Sequence, residues 1–108
     1  MKRANEEGTM EITKTITDNT ANVALTGRLD TLTSSDLETA LDEVLDKVQF
    51  LVFDFKDLDY ISSAGLRVLL TAQKILSKKD GHVSVINCSP EVKEVFSITG
   101  FSDILEIS

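Results

Sequence analysis

Alternation of apolar and polar residues predicts β-structure at the start of the chain. Residues 10–17 (MEITKTIT) alternate loosely and are rich in Thr and Ile, which favours a half-exposed strand. Residues 18–22 (DNTAN) have the composition of a turn, and residues 23–27 (VALTG) form a second short apolar run. The pattern therefore predicts a β-hairpin.

Two longer segments repeat apolar residues at helical spacing. Residues 33–48 place them on one face, and Ser35 with Glu38 fits a capping box at the start of this helix. Residues 63–79 have the same periodicity and run into two lysines and a glycine, which is typical of a helix end. Both segments are predicted to be amphipathic helices that pack on a sheet.

The remaining apolar runs predict further strands. Residues 50–55 (FLVFDF) are nearly continuously apolar, as expected of a central strand that is covered on both faces. Residues 82–87 predict another strand, residues 90–100 a short helix with Ser89 as its N-cap, and residues 104–107 an edge strand. The order β-β-α-β-α-β-α-β predicts one α/β domain, with a mostly parallel mixed sheet of four or five strands, an N-terminal β-hairpin and three or four helices.

Composition narrows the choice of partners. The chain has 108 residues, 42% of them hydrophobic, and a net charge of −7, so it is expected to repel nucleic-acid phosphates and anionic lipid.

Residues 1–8 lack an apolar stretch and predict a flexible tail rather than a secretory signal, with the folded domain over 9–108. The single cysteine, Cys88, favours a reducing, cytoplasmic location. With no heptad pattern, we expect a monomer.

Functional residues of open α/β sheets lie in the loops that leave the carboxyl ends of strands. Two such loops are predicted here, residues 27–34 (GRLDTLTS) and 56–65 (KDLDYISSAG), and they converge if their strands are neighbours. Either Ser62 or Ser63 is expected to cap the following helix. A hydroxyl at a helix start can also accept a phosphoryl group, since free N–H groups and the helix dipole favour a phosphate there.

These two loops resemble known motifs. The stretch I-S-S-A-G-L followed by R-V-L-L is similar to the phosphorylation loop of STAS domains, specifically bacterial anti-sigma factor antagonists, which commonly have Asp-Ser-(Ser/Thr)-Gly-Leu there. The stretch G-R-L-D at 27–30 resembles their second motif, usually Gly-Glu-Leu-Asp. The resemblance extends over residues 9–108 and implies a STAS-like domain.

The resemblance also implies a switch between partners. The unphosphorylated protein is expected to bind an anti-sigma factor that is itself a serine kinase, and so to release a sigma factor. Phosphorylation of Ser63, with Ser62 as second choice, would end that binding, and a PP2C-type phosphatase would reverse it. Ser62, Ala64 and Arg28 depart from the usual Asp, Ser/Thr and Glu of these motifs. The implied partner-binding residues are Arg28, Asp30, Thr31, Ser62, Ser63, Ala64, Gly65 and Arg67.

Alternative roles for the same residues remain open. Asp30 either caps the next helix or contacts the partner, and Arg67 is either a solvated side chain or a contact for a partner or phosphate. The second function hypothesis is a STAS module that works without phosphorylation, as an interaction subunit of a transporter or sensory complex.

An enzyme is not predicted, because the only histidine, His82, lies at a strand start, away from the serines. Asp54, Asp57 and Asp59 invite comparison with phospho-aspartate receivers, but such receivers need an acidic pair after the first strand, where only Asp18 is found. No Cys/His cluster or glycine-rich phosphate loop is present in the sequence, so neither a metal nor another cofactor is expected.

Overall fold

The structure is a computed structural model that describes residues 10–108, so the predicted tail at 1–8 lies outside the described part. The predicted α/β fold and element order are confirmed. The elements are β1 (Met10–Thr17), β2 (Thr20–Leu29), α1 (Ser34–Asp42), β3 (Phe50–Ile61), α2 (Ser63–Ser77), β4 (His82–Ile86), α3 (Pro90–Thr99), a 3₁₀ turn (Phe101–Asp103) and β5 (Glu106–Ile107).

The five strands lie side by side in chain order, β1-β2-β3-β4-β5. Strands β1 and β2 form the predicted antiparallel hairpin, and the three later pairings are parallel. Each parallel pair is joined through a helix, as such a connection requires. The β2–β3 pairing continues to Leu29 opposite Ile61, which brings the carboxyl ends of these strands together.

The hydrophobic core lies on one face of the sheet. Leu51, Phe53 and Phe55 of β3 are buried there, and the ring of Phe55 stacks on Phe96 of α3 with 6.3 Å between centroids. On the opposite face Val52 and Asp54 are only half-buried. The prediction that β3 is covered on both faces is therefore wrong. The helices form one layer, and the other face is open because no element packs on it among residues 10–108.

The helix predicted over residues 33–48 ends earlier than expected, at Asp42. The chain continues in tight turns, with Val44 N–H donating to the Leu41 carbonyl at 3.0 Å. These turns keep Val44 and Val48 buried, so helical spacing of apolar residues persists without a continuous helix. The predicted capping box is also wrong, because Ser35 lies inside α1 and Thr33 occupies the N-cap position.

Strands β2 and β3 extend past their predicted ends at residues 27 and 55. The β2–β3 register shifts twice, between Ala24 and Thr26 and between Gly27 and Arg28. Beyond Phe55 the buried residues are Leu58 and Ile61, at a spacing of three rather than two. The acidic stretch predicted as a loop is therefore strand up to Ile61, and the chain leaves the sheet only at the two serines.

Candidate functional site

The ends of β2 and β3 meet at one edge of the sheet, as the sequence predicted. Leu29 pairs with Ile61 in register, and the Ser62 N–H donates to the Leu29 carbonyl at 2.9 Å. The segment after β2 and the start of α2 are thus joined by a backbone hydrogen bond. Arg28, Asp30 and Ser62 consequently lie at the same corner of the molecule.

The two serines have different roles in the geometry of α2. Ser62 is the N-cap, and its side-chain oxygen accepts from the Gly65 N–H at 3.4 Å, at the long end of hydrogen-bond distances. Ser63 is the first helical residue and is exposed, whereas Ser62 is half-buried. The predicted cap is therefore Ser62, and this leaves the Ser63 hydroxyl at the surface, beside the free N–H groups of the first turn.

Gly65 is buried beneath this turn and is not a surface residue. A Cβ placed on it would lie 2.6 Å from Cγ of Leu29 and 3.1 Å from Cγ1 of Ile61. Leu29 is itself fully buried and cannot move aside easily. Direct contact of a partner with Gly65, implied by the resemblance, does not fit this burial, and the glycine instead allows α2 to pack closely against the strand ends.

Asp30 shapes the loop between β2 and α1. Its Oδ1 accepts from the backbone N–H groups of Leu32 and Thr33, each at 3.0 Å. The Thr33 hydroxyl adds to this turn by donating to the Arg28 carbonyl at 2.7 Å, and the Asp30 N–H donates to that hydroxyl at 2.9 Å. Asp30 therefore closes a turn just before α1 and does not cap the first turn of that helix, whose N-cap is Thr33. These hydrogen bonds hold the loop in one conformation.

Arg28 lies across the end of β3. Its guanidinium carbon is 4.2 Å from the centroid of the Tyr60 ring, a cation–π geometry, and its Nε is 3.6 Å from Oδ2 of Asp30. That Nε is buried and makes no hydrogen bond within the part of the chain that the structure describes. The side chain as a whole is 36% exposed, so other atoms of Arg28 reach the surface.

The remaining predicted residues differ in their exposure. Thr31 and Arg67 are exposed, and Ala64 is half-buried. Arg67 lies four residues after Ser63 in α2, so the two side chains share a face of the helix. Sequence reasoning missed Leu32 and Tyr60, which are 68% and 40% exposed at this corner. Leu32 is visible in the sequence as an apolar residue inside a polar loop, but Tyr60 is hidden because the pattern predicts a loop, not a strand, at residue 60.

Outside this corner, few of the described residues have the chemistry that a metal site or a reactive side chain requires. Within residues 10–108 no cluster of three or more His, Cys, Asp or Glu side chains could hold a metal ion. His82 lies at the start of β4, with its Nε2 3.5 Å from Glu106. Burial raises the pKa of the half-buried Cys88 thiol, and nearby Lys93 only partly offsets this, so the thiol is held in its less reactive form. Across the described residues no helix is long and apolar enough to cross a bilayer.

Comparison with known proteins agrees with this geometry. The model of the STAS domain family matches residues 11–108. The chain belongs to the STAS domain family. Among curated STAS relatives, BtrV of Bordetella bronchiseptica, which is named as an anti-sigma factor antagonist, is 36% identical over 92% of this chain and 86% of its own length. The anti-sigma-B factor antagonist of Bacillus subtilis is 30% identical over 84% of each chain.

Solved structures show the same fold at lower identity. An anti-sigma factor antagonist from Mycobacterium paratuberculosis superposes with a TM-score of 0.85 at 23% identity, over 95% of this STAS chain and 88% of that one. The phosphorylated form of the Bacillus cell fate determinant SpoIIAA gives a TM-score of 0.72 at 20% identity, over 93% of this chain and 91% of that one. At these identities the likeness supports the fold alone.

Proposed function

We propose that this STAS protein is an anti-sigma factor antagonist, controlled by phosphorylation of Ser63. The unphosphorylated form binds an anti-sigma factor that is a serine kinase, and thereby frees a sigma factor in the cytoplasm. The kinase transfers phosphate to Ser63, which ends the complex, and a PP2C-type phosphatase restores the hydroxyl. In this proposal the chain is a regulator and a substrate, not an enzyme.

The observation that carries the proposal is the exposed hydroxyl of Ser63 at the first position of α2. The neighbouring Ser62 is engaged as N-cap, which favours Ser63 as the phosphoacceptor. The names of BtrV and the Bacillus subtilis relative support the antagonist role, and SpoIIAA, similar in fold, is known in a phosphorylated form. Arg28, Asp30 and Thr31, on the segment that follows β2, and Ala64 and Arg67, on α2, would contact the kinase in this proposal.

Phosphate on Ser63 would act through charge rather than through refolding. It adds about −1.5 to −2 charges at neutral pH. One added charge about 6 Å from a partner carboxylate costs roughly 2–3 kcal/mol at an effective dielectric near 20. Two such contacts reach about 4–6 kcal/mol, which corresponds to a change in affinity of roughly a thousandfold or more. The first-turn N–H groups of α2 would meanwhile stabilise the phosphate, so the fold need not change.

Phosphorylation by the cognate kinase with ATP tests the proposal. We expect the wild-type chain to gain one phosphate, as measured by intact mass, and Ser63→Ala to gain none. Ser62→Ala is the matched control: it removes a neighbouring hydroxyl and a weak cap, and it should still be phosphorylated. If Ser63→Ala is still phosphorylated, and on Ser62, then Ser62 is the phosphoacceptor instead of Ser63. No labelling of the wild type would favour the passive module of a transporter or sensory complex.

A further inference from the structure

Arg28 is a positively charged group held in place on an acidic protein. The chain has only three arginines, Arg3, Arg28 and Arg67, and a net charge of −7. The two in the described part lie on the two segments that meet at this edge of the sheet, Arg28 near the end of β2 and Arg67 in the second turn of α2. A cationic contact at this corner therefore stands out against the overall charge of the molecule.

The position of Arg28 is fixed before binding. The Tyr60 ring lies against its guanidinium at 4.2 Å, and Asp30 lies 3.6 Å from its Nε. Asp30 is in turn fixed by two backbone N–H groups of its own loop. An arginine that is already ordered loses less side-chain entropy when it meets a partner, and Arg and Tyr are among the residues most enriched at energetic centres of interfaces.

The surroundings of Arg28 suit a protein partner. Tyr60 provides exposed apolar surface against the guanidinium, and Leu32, in the loop that follows β2, adds a second exposed apolar side chain. The planar fork of an arginine matches a carboxylate. Within residues 10–108 Arg28 meets Asp30 through Nε, which leaves the terminal N–H donors of the fork for a second carboxylate. An acidic side chain is otherwise repelled by this chain, so such a pairing contributes selectivity as well as affinity.

We infer that Arg28 binds a carboxylate of the anti-sigma factor kinase and determines which kinase this chain recognises. The inference rests on the proposed function and names the chemistry of its partner surface. Arg28, Tyr60 and Leu32 form the contact patch, and a kinase that presents a basic residue at the matching position is rejected. Arg28 acts in binding of the unphosphorylated protein, before phosphate reaches Ser63.

Affinity of the purified kinase for unphosphorylated variants, measured by titration calorimetry, tests this inference. Arg28→Glu should weaken binding by about tenfold to a hundredfold, because it replaces an attractive contact by a repulsive one. Arg28→Lys should have an intermediate effect, since an ammonium group loses the planar fork. Replacing the opposing kinase carboxylate by lysine should restore binding of Arg28→Glu.

Lys93→Glu is the matched control, because it makes the same change in net charge at an exposed residue of α3, which follows β4 rather than β2 or β3. It should bind like the wild type, and thermal unfolding of each variant checks the fold. If Arg28→Glu fails to fold, Arg28→Gln replaces it in the binding measurement. This variant adds no negative charge and should still weaken kinase binding.

Binding of Arg28→Glu or Arg28→Gln within about twofold of the wild type, or an equal loss in Lys93→Glu, would overturn the role of Arg28. Failure of the wild type itself to bind would instead refute the proposed function.

Discussion

Substitution of Gly65 by alanine perturbs the packing of α2 against the ends of β2 and β3. In an open helix position this change would stabilise the protein by about 0.5–1 kcal/mol, since Gly is a poor helix former. Here the new methyl would lie 2.6 Å from Cγ of Leu29 and 2.9 Å from its Cδ2. Overpacking of this kind costs typically about 1–3 kcal/mol. We therefore expect a net loss of about 1–2 kcal/mol in the free energy of unfolding.

Urea denaturation and thermal unfolding measure this loss, and for a domain of this size 1 kcal/mol corresponds to roughly 4–8 °C in Tm. A double-mutant cycle with Leu29→Ala isolates the contact. Leu29→Ala alone should cost about 2–5 kcal/mol through its cavity. The double variant should lose less than the sum, because the alanine methyl at position 65 fills part of that cavity. A Gly65→Ala protein as stable as the wild type would refute the close packing of Gly65 on Leu29.

Two further predictions concern Asp30 and Glu43. Asp30→Ala should lower the free energy of unfolding by about 1–2 kcal/mol in urea denaturation. Asp30→Asn should lower it by less, because its amide oxygen still accepts from the loop N–H groups. Equal losses in the two variants would contradict the stabilising role of these hydrogen bonds. The hydrogen bond and charge of Lys14 lower the pKa of Glu43. The Lys14–Glu43 pair therefore stabilises the folded protein at pH values above the pKa that Glu43 has in the unfolded chain. This stabilisation is lost as the pH falls through the lower pKa that Glu43 has in the folded protein. Lys14→Met should raise the Glu43 pKa in an NMR titration, and an unchanged midpoint would contradict the pairing.

Periodicity was sufficient to predict the element order, because each helix buries one face and each strand supplies short apolar runs. The cap at Ser89 was predictable because a hydroxyl residue precedes an apolar helical repeat. For α2 the same pattern predicts a serine cap without choosing between Ser62 and Ser63, and the structure shows that it is Ser62. The ends of α1 and β3 could not be predicted from the sequence. Turns keep Val44 buried although it lies outside the helix, and register shifts bury Leu58 and Ile61 at a spacing that no regular strand has.

The candidate site was predictable in its serines and Asp30 but not in its surroundings. Gly65 is recognisable in the sequence as a small residue, yet only the tertiary structure reveals that Leu29 fills the space beside it. The contact of Arg28 with Tyr60 depends on the irregular β2–β3 register, which brings these two residues opposite each other. Contacts between distant segments of this kind depend on the sheet as a whole and leave no local pattern in the sequence.

Kinase binding measured before and after phosphorylation of Ser63 tests the proposed switch. Protein carrying one phosphate, verified by mass spectrometry, and untreated protein would be titrated into the same purified kinase. We expect the affinity of the phosphorylated form to be lower by roughly a thousandfold or more, with its circular dichroism spectrum unchanged. Equal affinities of the two forms would contradict it, since Ser63 would then carry a phosphate that the partner does not detect.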